Sequence, residues 1–284
     1  MGRGKFRPRI TTWDLFGSEE SADDPVFYDD LILAEGDSWF TIGGLFAQNL
    51  LMNLRFERPT LILSCASPGD TIVHMSALAH NHVYKEALRY DYPWKAILLS
   101  GGGNDLIDRA DEIVLDKNQR KGRKITGPKD YCDEEKLLEL ITEVKSGYRT
   151  LVSVRDASGA SGVPVIVHTY DYPTPRNSPA RFIIGNVGPW IYPALVHSKV
   201  PRTDWISVSD YLFDALADGI TGLSAEQPDL ANFHVVKTRG LLKRASEAAL
   251  GDDADWLNEI HPNDDGYKKL AKKLEQTLIP LLNQ

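Results

Sequence analysis

Residues 31–39 read Leu31-Ile32-Leu33-Ala34-Glu35-Gly36-Asp37-Ser38-Trp39. Four apolar positions in a row, without polar alternation, fit a strand buried on both faces, and the glycine closes it. The same punctuation recurs along the chain. Thr60-Leu61-Ile62-Leu63-Ser64-Cys65 runs to Pro68-Gly69, and Ala96-Ile97-Leu98-Leu99-Ser100 runs into Gly101-Gly102-Gly103. Val163-Pro164-Val165-Ile166-Val167-His168 is a fourth run and Phe233-His234-Val235-Val236 a weaker fifth.

Helical periods lie between these runs. Leu137, Ile141, Val144, Tyr148, Leu151 and Arg155 share one face at three-to-four spacing, and Met75, Leu78, Ala79 and Val83 repeat more weakly. Tyr267, Leu270, Ala271, Leu274, Leu278 and Leu281 form a last stripe, with Asp264 and Asp265 placed to cap its start. Strands alternating with helices predict right-handed βαβ units. The expected fold is α/β: a three-layer α/β/α sandwich, flavodoxin-like, with a parallel sheet of about five strands and the first strand central.

Residues 1–28 are polar and aperiodic and read as an arm or a cover strand. Residues 29–284 carry no internal repeat and no low-complexity linker, so they read as one domain. Two long segments interrupt the rhythm. Residues 107–134, with Lys121-Gly122-Arg123-Lys124, read as a solvated surface insertion. Residues 171–206 hold Pro173, Pro175, Pro179, Pro189, Trp190, Tyr192 and Pro193, too many aromatics for a merely solvated loop, and read as a lid.

Composition narrows the function. Hydrophobic residues make up 42% of the 284 positions, enough for a sizeable core. A net charge of −8 speaks against non-specific nucleic-acid binding, which draws on clustered Lys and Arg. No apolar run reaches the length of a membrane span, and the basic start Met1-Gly2-Arg3 leads into no signal-peptide core, so the cytoplasm is the expected location. Cys65 and Cys132 make neither a disulfide framework nor a zinc cage. His80-Asn81-His82 invites a metal reading, but helix positions two apart face different directions.

In an open parallel sheet, ligands bind outside the carboxyl ends of the strands. Those ends carry Gly36-Asp37-Ser38-Trp39, Ser67-Pro68-Gly69-Asp70 and Gly101-Gly102-Gly103-Asn104-Asp105: a hydroxyl, backbone N–H groups and a side-chain amide. One nucleophile with several hydrogen-bond donors is what acyl transfer needs, because the tetrahedral intermediate carries a negative oxygen. A base is supplied by Asn258-Glu259-Ile260-His261-Pro262-Asn263, just before the last helix.

These blocks resemble the SGNH hydrolases, also called the GDSL esterase/lipase family. Gly36-Asp37-Ser38 is similar to the family's first block, Gly69 to the second, Gly102-Gly103-Asn104-Asp105 to the third and His261-Pro262 to the last, over about residues 30–284. The resemblance implies a serine esterase working through an acyl-enzyme on a small-molecule ester. Ser38 would be the nucleophile and His261 the general base. The N–H groups of Ser38 and Gly69 and the amide of Asn104 would form the oxyanion hole, with no metal and no cofactor. Asp37 and Asp105 would hold the loops. Trp39, Phe40, Trp190 and Tyr192 are candidates for the pocket wall.

One position departs from the family pattern. The triad acid normally stands three residues before the histidine, and here that residue is Asn258. Either Asn258 or a backbone carbonyl orients the ring, or Glu259 or Asp255 swings in, or the enzyme is slow. The reading taken is a Ser–His pair oriented by a neutral acceptor. Two alternatives stand beside it. One is a scaffold of the same fold that binds an acyl or sugar ligand without turnover. The other is a metallophosphoesterase, whose Gly-Asp-x-His and Gly-Asn-His patterns meet Trp39 and Asp105 where histidines are needed. Neither the particular ester nor the oligomeric state is set by the sequence.

Overall fold

Uninterrupted apolar strands require cover on both faces, and the helices of this chain supply it. The computed structural model describes residues 5–13, 16, 23–41, 48–77, 79, 82–89, 92–182, 185–226 and 230–284. Its strands are β1 (Arg9–Thr12), β2 (Asp30–Gly36), β3 (Thr60–Ser64), β4 (Trp94–Ser100), β5 (Val165–His168), β6 (Ala180–Phe182), β7 (Gly185–Val187) and β8 (Phe233–Val236). Its helices are α1 (Leu50–Asn53), α2 (Ile72–Ser76), α3 (Val83–Arg89), α4 (Gly103–Asp108), α5 (Ala110–Ile113), α6 (Glu134–Asp156), α7 (Ile191–His197), α8 (Trp205–Leu223) and α9 (Asp264–Leu282).

Six strands form one parallel sheet in the order β1-β3-β2-β4-β5-β8. Without β1, this is the flavodoxin-like order, in which the second strand in sequence lies outside the first and the rest follow in turn. The switch point falls between β2 and β4, where Gly36 pairs with Ser100. All of β2 and β3 is buried, as continuous apolar runs require. Helices α1 and α9 pack together on one side, with α9 on β4, β5 and β8. Helices α2, α3, α6 and α8 pack together as the other layer.

The sheet has one strand more than the five apolar runs. Arg9–Thr12 in the N-terminal arm pairs with β3, covering an edge that would otherwise stay open. The weak stripe from Met75 to Val83 is two short helices, α2 and α3, and not one. Leu78, His80 and Asn81 lie outside the described residues, as do residues 1–4. Asn263, not Asp264 or Asp265, caps α9: its side chain accepts the N–H of Gly266 at 3.0 Å. The two aspartates follow in the first turn, where they complement the helix dipole.

The segment 107–134 is not solvated throughout. Ile113, Val114, Leu115, Tyr131 and Cys132 are buried, because Leu115 and Asp133 hydrogen-bond back across the stem to Tyr131 and Ile113. The segment 171–206 is ordered by the antiparallel β6–β7 hairpin and by α7. Among the described residues, no helix is long and apolar enough to cross a membrane.

Candidate active site

The carboxyl end of β2 leads into a tight turn. The carbonyl of Asp37 accepts the N–H groups of Phe40 (3.0 Å) and Thr41 (3.1 Å), so Ser38 sits at the start of one helical turn. The Asp37 carboxylate accepts the N–H of Trp39 at 3.0 Å. The loop after β3 runs alongside, with Ser67 N–H donating to the Gly36 carbonyl at 2.9 Å. Gly69 in that loop has φ +76°, a left-handed turn that glycine adopts without steric cost. Asn104, in the first turn of α4, donates from Nδ2 to the Asp70 carbonyl at 2.8 Å. Asp105 accepts the N–H groups of Ile72 (2.8 Å) and Val73 (3.3 Å) at the start of α2. The second and third blocks are thereby tied to each other.

From 223 positions away, His261 brings Nε2 to 2.8 Å from Ser38 Oγ. Behind the ring, Nδ1 is 3.0 Å from Oδ1 of Asn258. The same oxygen accepts the N–H groups of Ile260 (3.1 Å) and His261 (2.9 Å). Burial pushes the His261 imidazole down to about 3, so it stands neutral. Trp39 ties the two loops by donating from Nε1 to the Ile260 carbonyl at 3.3 Å.

Neither alternative carboxylate is at the ring. Glu259 is fully buried and points into the start of α7, accepting the N–H groups of Trp190, Ile191 (3.1 Å) and Tyr192 (2.8 Å). Asp255 pairs with Lys269 at 2.6 Å and accepts the N–H of Lys243. Glu259 thus connects the histidine loop to the segment bearing Trp190, whose ring meets that of His261 edge-on at 5.5 Å.

A cleft of about 20 Å³ opens beside Ser38, room for little more than one water-sized group. Ser38, Trp39, Asn104, Ile107, Phe213 and Ile260 are among the residues lining it. Phe40 does not line it. Phe40 is 1% exposed, with its ring 5.8 Å from that of His168, in the core. Tyr192 packs its ring edge-on against Trp205 at 5.4 Å. Tyr170 is not singled out by sequence, yet it is among the residues lining the cleft. Its signal was position, since it follows the fourth apolar run as Ser38 follows the first.

No protein-family model and no curated protein matches the chain. Among solved structures, the chain is similar to a protein assigned to the GDSL-like lipases from Bacteroides ovatus, at 12% identity and a TM-score of 0.47. That match covers 90% of this chain and 55% of the other, so the chain spans about half of that relative's length. It is similar to another protein so assigned, from Parabacteroides merdae, at 12% identity and a TM-score of 0.47, covering 89% of this chain and 96% of that one. It is also similar to a catalytic mutant of the acetylxylan esterase Axe2 from Geobacillus stearothermophilus. There the identity is 13% and the TM-score 0.48, with coverage of 88% and 94%.

Proposed function

We propose that this chain is a serine hydrolase of the SGNH type that cleaves carboxylic esters of short acyl groups. The observation that carries the reading is the 2.8 Å approach of Ser38 Oγ to His261 Nε2, with Asn258 Oδ1 behind the ring. Nε2 takes the proton as Oγ attacks the ester carbonyl, and the carbonyl oxygen becomes an oxyanion. The N–H groups of Ser38 and Gly69 and the remaining N–H of Asn104 Nδ2 receive that charge. Collapse of the intermediate breaks the bond to the leaving oxygen, which takes the proton from Nε2. Water, deprotonated by the same nitrogen, then releases the acid and restores Ser38.

The leaving oxygen must lie on the His261 side, because it receives its proton there. The cleft lined by Asn104, Ile107 and Phe213 is left for the acyl group, and its size suits one or two carbons. The test is a fluorophosphonate probe followed by p-nitrophenyl esters from acetate to palmitate. Labelling of Ser38, loss of turnover in Ser38→Ala and survival of turnover in EDTA are expected. A chain that neither labels nor hydrolyses is the inert ligand-binding scaffold that the neutral Asn258 would suit.

A further inference from the structure

Beneath the nucleophile lies a buried chain of side chains that takes no part in the steps above. The Asp37 carboxylate is 2% exposed and collects three donors. Trp39 N–H (3.0 Å) and Ser100 Oγ (2.8 Å) reach Oδ1, and the Tyr170 phenol reaches Oδ2 at 2.5 Å. Ser100 Oγ is in turn 2.9 Å from Nε2 of His168. Nδ1 of His168 accepts the N–H of Tyr170 at 3.2 Å, so the ring carries its proton on Nε2 and donates to Ser100. Burial keeps this ring neutral, pushing it down to about 3. The hydrogen bonds therefore run one way, from His168 through Ser100 to Asp37, with Tyr170 holding both ends.

Tyr170 is held there against its own preference. Its φ is +58°, a region that bulky residues rarely adopt outside functional sites. Its carbonyl accepts Thr238 Oγ1 at 2.8 Å. Its ring stands where a Cβ on residue 103 would be, only 2.9 Å from Cε1 and Cζ, so the third block needs glycine at Gly103. A strained backbone, a forced glycine and a directed hydrogen-bond chain all serve to place one phenol oxygen.

We propose that Tyr170, backed by Ser100 and His168, is a positioning residue for the nucleophile: it fixes the Asp37 carboxylate, which holds the turn that aims Ser38 at His261. The inference rests on the reading of Ser38 as nucleophile. Asp37 closes the turn on both sides of Ser38, with its carbonyl on Phe40 and Thr41 and its carboxylate on Trp39. An ionised carboxylate accepts all three donors. A protonated one carries a hydrogen of its own into a place where every neighbour already points one, and the turn loosens.

Several groups face Asp37. Ser100 comes from β4, Tyr170 from the end of β5 and Asp105 from α4, while Tyr148 of α6 and Tyr267 of α9 also feel its charge. Burial pushes the Asp37 carboxyl up to about 6, and the bonds from Tyr170, Trp39 and Ser100 oppose that rise. Removing the phenol therefore raises it further.

The experiment compares the wild type with Tyr170→Phe and Asp37→Asn by two measurements over about pH 4 to 9. One is kcat and KM for p-nitrophenyl acetate. The other is the carbon-13 NMR titration of the Asp37 carboxyl, which needs no turnover. Phenylalanine keeps the ring against Gly103, so a role in packing alone leaves both measurements unchanged. We expect Tyr170→Phe to lower kcat about tenfold at nearly constant KM and to move the acid limb up by about one pH unit, in step with the Asp37 carboxyl. In Asp37→Asn, which carries no titrating carboxyl there, that limb should be missing. A Tyr170→Phe enzyme with wild-type kcat and an unmoved Asp37 titration overturns the proposal. A wild type inert to esters and to fluorophosphonate overturns the nucleophile reading instead, and the carboxyl titration then still decides whether Tyr170 holds Asp37.

Discussion

Oδ1 of Asn258 stands 3.0 Å from Nδ1 of His261 while accepting two backbone N–H groups of its own loop. Those backbone donors decide which way the amide faces, since a flipped side chain would turn its NH₂ toward them. With the oxygen held against the ring, Nδ1 must donate and Nε2 keeps its lone pair for Ser38. In serine proteases of the chymotrypsin type, an Asp-to-Asn change costs about 10⁴ in rate, partly through the wrong tautomer. Here the loop backbone enforces the right one. What the amide lacks is charge, and its Nδ2 is buried with no partner among the described residues.

Asn258→Asp places a negative charge beside the ring and removes that orphaned donor. The His261 pKa should rise from its depressed position near 3, read directly by NMR titration of the imidazole. In the proposed mechanism His261 acts as a base when neutral, so a higher pKa should move any limb owed to it toward higher pH, while the plateau kcat holds or increases. Asn258→Ala frees the ring and should cost about 10² or more in kcat. An alanine variant as fast as the wild type would show that something else orients His261.

Asn104 is committed to the Asp70 carbonyl through one N–H, and the other is the one that the proposed mechanism gives to the oxyanion. Asn104→Ala should lower kcat about 10²–10³-fold with a smaller change in KM, because the lost bond is made chiefly in the transition state. A loss confined to KM would place Asn104 in ground-state binding instead.

How much of this was readable before the fold? The strands were, because continuous apolar runs ending at glycine have few other solutions. β1 was legible only as one of two options, since residues 1–28 read as an arm or a cover strand: Arg9-Ile10-Thr11-Thr12 is a short edge strand whose bounds come from its neighbour β3. Helix α8 was missed because its first turn joins the Pro-rich stretch. The blocks named residues that meet in space, Ser38 and His261 above all. Phe40 is a candidate by its nearness to Ser38 and Tyr192 by its place in the aromatic 171–206 segment, but side chains of neighbouring positions diverge: the Phe40 ring packs in the core near His168 and the Tyr192 ring against Trp205. Tyr170 is not legible in the sequence because its contacts are to Asp37, Gly103 and His168, which sequence order scatters.

Glu259 gives the fold a pH signature. It is buried, accepts the N–H groups opening α7, and burial pushes it from an ordinary 4.5 up to about 7. A carboxyl raised in the folded state contributes stability that is fully present below about pH 4.5 and is lost as pH rises through about 7. Glu259→Gln removes that component, of the order of 3 kcal/mol. Thermal unfolding of both proteins between about pH 5 and 8 should show the wild type losing more Tm than the variant as pH rises. Parallel curves would mean that the ionised Glu259 is fully compensated by its backbone donors.

The last prediction concerns the acyl group. Ile107 and Phe213 line the cleft beside Asn104, and the space is about 20 Å³. If the acyl group occupies this cleft as proposed, a longer chain crowds one of them. The ratio of kcat/KM for p-nitrophenyl acetate over hexanoate should therefore be about tenfold or more, the discrimination expected when methylene groups exceed a pocket. Ile107→Val and then Ile107→Ala should lower that ratio stepwise, mainly by raising hexanoate turnover. The alanine variant loses core packing worth about 2–5 kcal/mol, so its Tm must be read first, and the valine variant keeps the series interpretable if alanine unfolds. A wild type that prefers octanoate, or a ratio unmoved by either substitution, would place the acyl chain elsewhere, on the Trp190 side of His261.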